Sequence, residues 1–308
     1  MATNNLPLDL FTKHREALGL KDPVAFEREN DLFAERAAPT ENAIVFLPKS
    51  KALIDMTLAL VSGKVALGGT IVLAGANDAG IRSAKDAYEK NIGPISQKIV
   101  GNHSALYVGS NQKLGAGKTW REYLSFFPLS YAGPAGNALL DIANLPGVFS
   151  AGELDAGTKL LLDHIPFDRA KVLDVGCGAG VIGALYKKIS PKADVVMSDS
   201  SVIATKAVAE TLAKNGLAAK VALSDVFDGI TGTFDLIVAN PPFHTGIETD
   251  YSFIEKFARG ARRHLAPGGA VYVVANAFLP YQDILGSNIG HTDIVADDKK
   301  FRVYCSRP

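Results

Sequence analysis

Four apolar runs in the second half of this chain each stop on a polar side chain, and that recurrence limits the fold more than any other feature. Lys171-Val172-Leu173 reaches Asp174, Ala193 to Ser198 reaches Asp199, Lys220 to Ser224 reaches Asp225, and Phe234 to Ala239 reaches Asn240. Helix-compatible stretches follow the first two: Ala184 to Lys188, then Ala204 to Asn215 with Gly216 as its stop. Strands alternating with helices predict a parallel sheet, whose ligand crevice lies beyond the carboxyl ends of its strands. One Asp in a turn is ordinarily solvated. Four polar groups at consecutive strand ends predict a site.

The fourth run closes on Asn240-Pro241-Pro242-Phe243. Two prolines remove two backbone donors and fix φ, so the chain leaves the sheet extended. That turn predicts a fixed Asn240 amide oxygen and Pro241 carbonyl beside an aromatic ring. Two acceptors and a stacking plate suit the exocyclic amine of a planar base.

The first run enters Asp174-Val175-Gly176-Cys177-Gly178-Ala179-Gly180-Val181-Ile182-Gly183. Alternate glycines let the backbone turn tightly and approach a ligand, and the helix start beyond offers free N–H groups. The stretch from Gly178 to Gly183 also satisfies the dinucleotide pattern G-x-G-x-x-G, so a nicotinamide enzyme is an alternative. Asp174 argues against it. A carboxylate repels a pyrophosphate but accepts hydrogen bonds from an ammonium, or orders water around one. Asp199 falls near the spacing at which an acid meets ribose hydroxyls, and Asp225 is placed to read an adenine amino group.

These residues carry a resemblance. Asp174-x-Gly176-x-Gly178-x-Gly180 with Asn240-Pro241-Pro242-Phe243 resembles the S-adenosylmethionine-dependent methyltransferases acting on exocyclic or amide nitrogens. Adding His244, Phe149 to Thr158, and Val274-Ala275-Asn276-Ala277-Phe278-Leu279-Pro280-Tyr281, the chain resembles the ribosomal RNA guanine-N2 methyltransferases, among them the small-subunit enzymes of the RsmC type. The resemblance implies methyl transfer to a guanosine N2 in 16S ribosomal RNA, with S-adenosylmethionine as donor. It implies that Asn240, Pro241 and Phe243 hold the base, with His244 as a further substrate contact. Asp174, Gly176, Gly178, Gly180, Asp199, Asp225 and Asn240 are implied to hold the cofactor. Large-subunit RNA, DNA adenine and a protein glutamine amide are alternative acceptors. A non-catalytic RNA-binding factor that keeps the fold is an alternative of another class.

With 308 residues, 47% of them hydrophobic, the chain has material for two cores. No apolar run reaches the ~18 residues of a membrane span, and Met1-Ala2-Thr3-Asn4-Asn5 does not read as a secretory signal. Two cysteines make neither a disulfide framework nor a metal cluster, so a cytoplasmic setting is expected, with no metal. Zero formal charge excludes a polybasic coat, so contact with ribosomal RNA must come from local patches. Candidates are Arg259, Arg262 and Arg263 on one helix face, Lys49 and Lys51, and Lys299, Lys300 and Arg302.

The first half reads as a decayed copy. Leu67-Gly68-Gly69-Thr70-Ile71-Val72-Leu73-Ala74-Gly75-Ala76-Asn77 echoes Pro267 to Asn276, Asn91-Ile92-Gly93 echoes Asn288-Ile289-Gly290, and Ala43 to Lys49 takes the place of Leu236 to Pro242. That alignment sets Leu47 opposite Asn240. The expected architecture is therefore α/β with two tandem Rossmann-like methyltransferase domains. Residues 1–145 form a degenerate one without a cofactor site, and residues 146–308 form the catalytic one. Gly75 to Gly80 is then part of a late strand and its turn rather than a second cofactor loop. The polar stretch from Glu16 to Arg36 is expected to be helical, and Gly109 to Gly147 to connect the domains.

Overall fold

The computed structural model describes residues 6–15, 18, 24–25, 39–48, 50–113, 118–149, 153–241 and 247–308. The chain divides into two compact units, residues 1–124 and 125–308. Among the described residues no helix is long and apolar enough to cross a membrane.

The second unit is built on the four runs. They form β8 (Lys171–Val175), β9 (Asp194–Asp199), β10 (Lys220–Leu223) and β11 (Phe234–Ala239), with helices α5 (Val181–Ile189) and α6 (Val202–Lys214) after the first two. Then come α7 (Ile247–His264), β12 (Leu265–Asn276), α8 (Tyr281–Asn288), β13 (His291–Asp297) and β14 (Phe301–Arg307). The seven strands lie in the order β10-β9-β8-β11-β12-β14-β13, parallel except for the antiparallel β14. Leu236, Ile237, Val238 and Ala239 of β11 are fully buried because alternate residues feed apolar layers on both faces of the sheet. Strand order reverses between β8 and β11. Both end on the edge where Ala239 pairs with Val175, so Asn240 emerges beside Gly176.

The connection expected over Gly109 to Gly147 is in large part something else. Ser125–Gly133 (β6) and Gly136–Asn144 (β7) form an antiparallel hairpin within the second unit, moving the boundary from the expected residue 145 to Leu124. Helix α6 satisfies its free edge with side chains. Asn215 Nδ2 donates to the Asp141 carbonyl at 2.7 Å, the Asp141 N–H donates to Asn215 Oδ1 at 2.9 Å, and the Ala143 N–H donates to Thr211 Oγ1 at 3.0 Å. These bonds replace a missing strand neighbour. A sequence pattern of glycine and aromatics does not announce them.

The first unit contains α1 (Leu6–His14), β1 (Val24–Ala25), β2 (Thr40–Phe46), α2 (Lys51–Ser62), β3 (Val65–Ala76), α3 (Lys85–Asn91), β4 (Gln97–Gly101) and β5 (Ser104–Ser110). Its sheet order β1-β2-β3-β5-β4 repeats β8-β11-β12-β14-β13 of the second unit. The same irregularity recurs as well. Thr40 pairs with Val65 and Asn42 with Thr70, as Phe234 pairs with Leu265 and Leu236 with Ala270. Gly68 and Gly268 take φ of 81° and 75° at matching turns. This shared register corrects the alignment by one residue. Phe46 pairs with Ala74, and Ala239 with Val273, so Phe46 rather than Leu47 stands in the place of Asn240. Ungapped letters cannot see a register that strand pairing fixes. Most of Glu16 to Arg36 lies outside the described residues.

Candidate active site

A cavity of about 250 Å³ opens at the carboxyl ends of β8, β9, β10 and β11. Gly176 and Gly178, Asp199, Asp225 and Asn240 share its wall with Phe149, Val226 and Phe253. Of the ten site residues expected from sequence, these five meet in one place. Asp174, Gly180 and Pro241 are not among the residues that line the cavity, and Phe243 and His244 lie outside the described residues.

The glycine turn is made by backbone that other residues rarely adopt. Gly176, Gly178 and Gly180 have φ of 70°, 55° and 83°. The N–H groups of Gly176 and Cys177 both donate to the Ser198 carbonyl, at 2.8 and 3.0 Å, which ties the turn to the end of β9. A Cβ added at Gly176 would meet nothing within 4 Å, so the turn faces open space there. At Gly180 a Cβ would press on Val208 and Met197, so that glycine serves helix packing.

Asp174 differs from its expected exposure to a ligand. It is 1% exposed, and its Oδ2 accepts from the Gly183 N–H at 2.9 Å, pinning α5 to β8. Its Oδ1 is buried without a hydrogen-bond partner among the described residues. Burial pushes this carboxyl up to about 7; the Gly183 bond opposes the rise and the Asp199 charge adds to it. Burial likewise raises the Cys177 thiol, helped by the charges of Asp174 and Asp199.

Asp199 is held as a rigid acceptor. Its Oδ2 accepts from the Gly178 N–H and its Oδ1 from the Ser201 N–H, each at 2.9 Å. Asp225 is exposed and pairs with Lys256 Nζ at 2.7 Å; the same ammonium reaches Asp228 at 3.2 Å. Lys256, on α7, carries no signal in sequence because thirty residues and a strand separate it from Asp225.

At the end of β11 the Asn240 amide group donates from Nδ2 to Thr158 Oγ1 at 2.8 Å and to Asp155 Oδ2 at 3.2 Å. Its Oδ1 is buried without a partner among the described residues. Asp155 is also the N-cap of helix α4 (Ala156–Leu162), accepting from the Thr158 N–H at 2.9 Å. Neither Asp155 nor Thr158 emerges as a site residue from sequence, although both lie in the stretch from Phe149 to Thr158 that carries the resemblance.

The basic patches are less free than their sequence suggests. Arg259 pairs with Glu255 at 3.2 Å, Arg262 donates to the Ile289 carbonyl at 2.9 Å, and Arg302 pairs with Asp297 at 2.7 Å. Lys49 lies outside the described residues.

This arrangement invites comparison with known proteins. Residues 139–305 match the model of the methyltransferase small domain, and residues 9–126 match that of its N-terminal companion. The ribosomal RNA small subunit methyltransferase C of Aeromonas hydrophila is 40% identical over 275 residues, spanning 88% of this chain and 78% of that one. That of Vibrio cholerae is 37% identical over the same length, spanning 88% and 79%. The chain belongs to the ribosomal RNA small subunit methyltransferase C family. A solved member, the T. thermophilus 16S rRNA N2 G1207 methyltransferase (RsmC) in complex with AdoMet and guanosine, superposes with a TM-score of 0.75. It covers 96% of this chain and 79% of its own length at 23% identity, which establishes the two-domain fold. The family explains why both halves of the chain matched in sequence: the degenerate copy belongs to its plan.

The cavity fits the family's cofactor. A glycine turn with open space before it, a rigid carboxylate at one strand end and a second at the next suit a ligand with ribose hydroxyls and amino groups. Gly176, Gly178, Asp199 and Asp225 line that cavity together.

Proposed function

We infer that this protein is an S-adenosylmethionine-dependent methyltransferase acting on the exocyclic N2 of a guanosine in 16S small-subunit ribosomal RNA. The observation that carries the reading is the presence of Asn240 in the wall of the cavity formed by Gly176, Gly178, Asp199 and Asp225. A residue able to accept an NH2 therefore shares a wall with a site suited to a methyl donor. Family membership supports the acceptor base and the RNA. The same reading places the protein in the cytoplasm, with the small subunit or an assembly intermediate as its partner.

The chemistry follows from what the side chains supply. A guanine amine is a poor nucleophile because its lone pair is delocalised into the ring. Asn240 Oδ1 accepts one amine hydrogen, and the Pro241 carbonyl is assigned the second. With both hydrogens held, the nitrogen moves toward tetrahedral geometry and its lone pair is aimed across the cavity. S-adenosylmethionine, when bound, supplies an electrophilic methyl on sulfur. The methyl would pass to the amine nitrogen with the sulfur as its leaving group, and the nitrogen's surplus proton would be lost to solvent. No side-chain base is required. Alignment in a water-poor cavity supplies much of the rate. The base must be unpaired or turned out of its helix, at a cost of a few kcal/mol in a duplex; Phe243 is assigned its stacking contact.

The test is methyl incorporation into 16S RNA, assembled small subunits, large-subunit RNA, DNA and protein, with mass spectrometry of the product nucleoside. N2-methylguanosine from small-subunit RNA is the expected product. Asn240→Ala should lower kcat by about 10²-fold or more. Near-normal turnover by that variant would remove Asn240 from the mechanism.

A further inference from the structure

Asn240 is useful only in one of two orientations, and its side chain alone does not choose between them. An amide turned by 180° presents NH2 where its oxygen was, at almost no steric cost. With the NH2 facing the cavity, the amine of a bound base meets a donor and cannot be held. Something outside Asn240 must select the productive face.

We propose that Asp155 and Thr158 are positioning residues that lock the Asn240 amide with its oxygen toward the substrate and strengthen that oxygen as an acceptor. The proposal rests on the reading of Asn240 given above. Asp155 Oδ2 is the hub: it accepts from the Thr158 N–H at 2.9 Å, the Thr158 hydroxyl at 3.3 Å and Asn240 Nδ2 at 3.2 Å. Because the Thr158 hydrogen points to Asp155, the hydroxyl lone pairs face Asn240 Nδ2, which donates to them at 2.8 Å. Both neighbours of the amide nitrogen are thus acceptors. Turning the amide would set its oxygen against the Asp155 carboxylate oxygen, which is repulsive, and the Thr158 hydroxyl could then donate to it only by giving up its own bond to Asp155. The orientation is therefore dictated by chemistry.

Burial sharpens the effect. Thr158 is 3% exposed, so water does not readily compete for its hydroxyl. Asn240 Oδ1 is also shielded and has no partner among the described residues, a costly state for an acceptor that a substrate N–H would relieve. The Asp155 carboxylate charge draws on the amide N–H bonds and shifts electron density toward Oδ1, as a hydrogen-bonded chain does. Asp155 caps helix α4 and Thr158 lies in its first turn, so the clamp is tied to regular structure.

The experiment compares Thr158→Val with Thr158→Ser. Valine keeps the shape and removes the acceptor, whereas serine keeps the hydroxyl. We expect Thr158→Val to lower kcat on the order of 10- to 100-fold. S-adenosylmethionine affinity, measured by calorimetry, and the thermal midpoint should change little, and Thr158→Ser should recover most of the rate. Near-wild-type kcat in Thr158→Val, a loss matched by weaker cofactor binding, or no rescue by serine would each overturn the proposal. Should Thr158→Val not fold, the Asp155 series decides. Asparagine caps a helix as well as aspartate does, so kcat should fall in the order wild type, Asp155→Asn, Asp155→Ala, and equal rates overturn the role. Wild-type turnover separates the two readings. If wild type transfers no methyl to RNA, the proposed function fails; if it does and both series are silent, only the clamp fails.

Discussion

Asp174→Asn should stabilise the second unit at alkaline pH and change it little in acid. The buried Asp174 carboxyl ionises at about 7 against a reference of 3.8, so the folded state binds the extra proton between those values. Folding is therefore favoured below pH 3.8, and that advantage is lost as pH rises toward 7, the reverse of a salt-bridged carboxylate. At 1.36 kcal/mol per pKa unit, a folded wild type at pH 8 carries a penalty of about 4 kcal/mol, against about 1 kcal/mol at pH 4.5. Asparagine keeps an oxygen for the Gly183 N–H but cannot ionise, so the variant's advantage should grow by about 3 kcal/mol between pH 4.5 and pH 8. The chain itself provides a domain-specific reporter. Its two cysteines, Cys177 and Cys305, are both buried in the second unit. Alkylation of Cys305 against urea concentration, read by peptide mass spectrometry and normalised at each pH to its unfolded plateau, gives the midpoint for that unit alone. A constant offset between variant and wild type across this range would refute the idea that Asp174 is buried as a near-neutral acid.

Other consequences are more direct. Gly176→Ala places a methyl group in open space but at a φ of 70°, so it should cost about 1–2 kcal/mol of stability. The same methyl intrudes on the cavity wall, and calorimetry should show weaker S-adenosylmethionine binding. RNA affinity should fall with salt on a log–log slope set by the number of phosphates met. Since Arg259, Arg262 and Arg302 already have protein partners, that slope should be shallow, and Arg262→Ala should lower the thermal midpoint more than it lowers RNA affinity.

Much of the second unit could be read from letters because its strands are short apolar runs punctuated by polar ends. Periodicity placed β9, α6 and β11 within a residue or two of their observed limits. Asp199, Asp225 and Asn240 were legible for the same reason: a parallel sheet delivers consecutive strand ends to one edge. Asp174 was legible as a member of the turn but not as a buried side chain, since its inward direction depends on where α5 packs. The partners of Asn240 could not be read at all. Asp155 and Thr158 precede it by more than eighty residues, and only the packing of helix α4 against β12 and β14 brings them together. The hairpin of β6 and β7 was misjudged because a strand edge satisfied by Asn215 and Thr211 leaves no periodic trace.

The repeated half also clarifies what a vestigial domain lacks. Among the described residues the first unit has only Val24 and Ala25 where the second has the five of β8, and pairing sets Ala25 in the place of Asp174. Restoring one amide with Phe46→Asn would supply a hand without a floor beneath it. From Phe26 to Ser62 the sequence holds no glycine, so a bend like that of Gly176, Gly178 and Gly180 has no counterpart there, and a single substitution would not rebuild one.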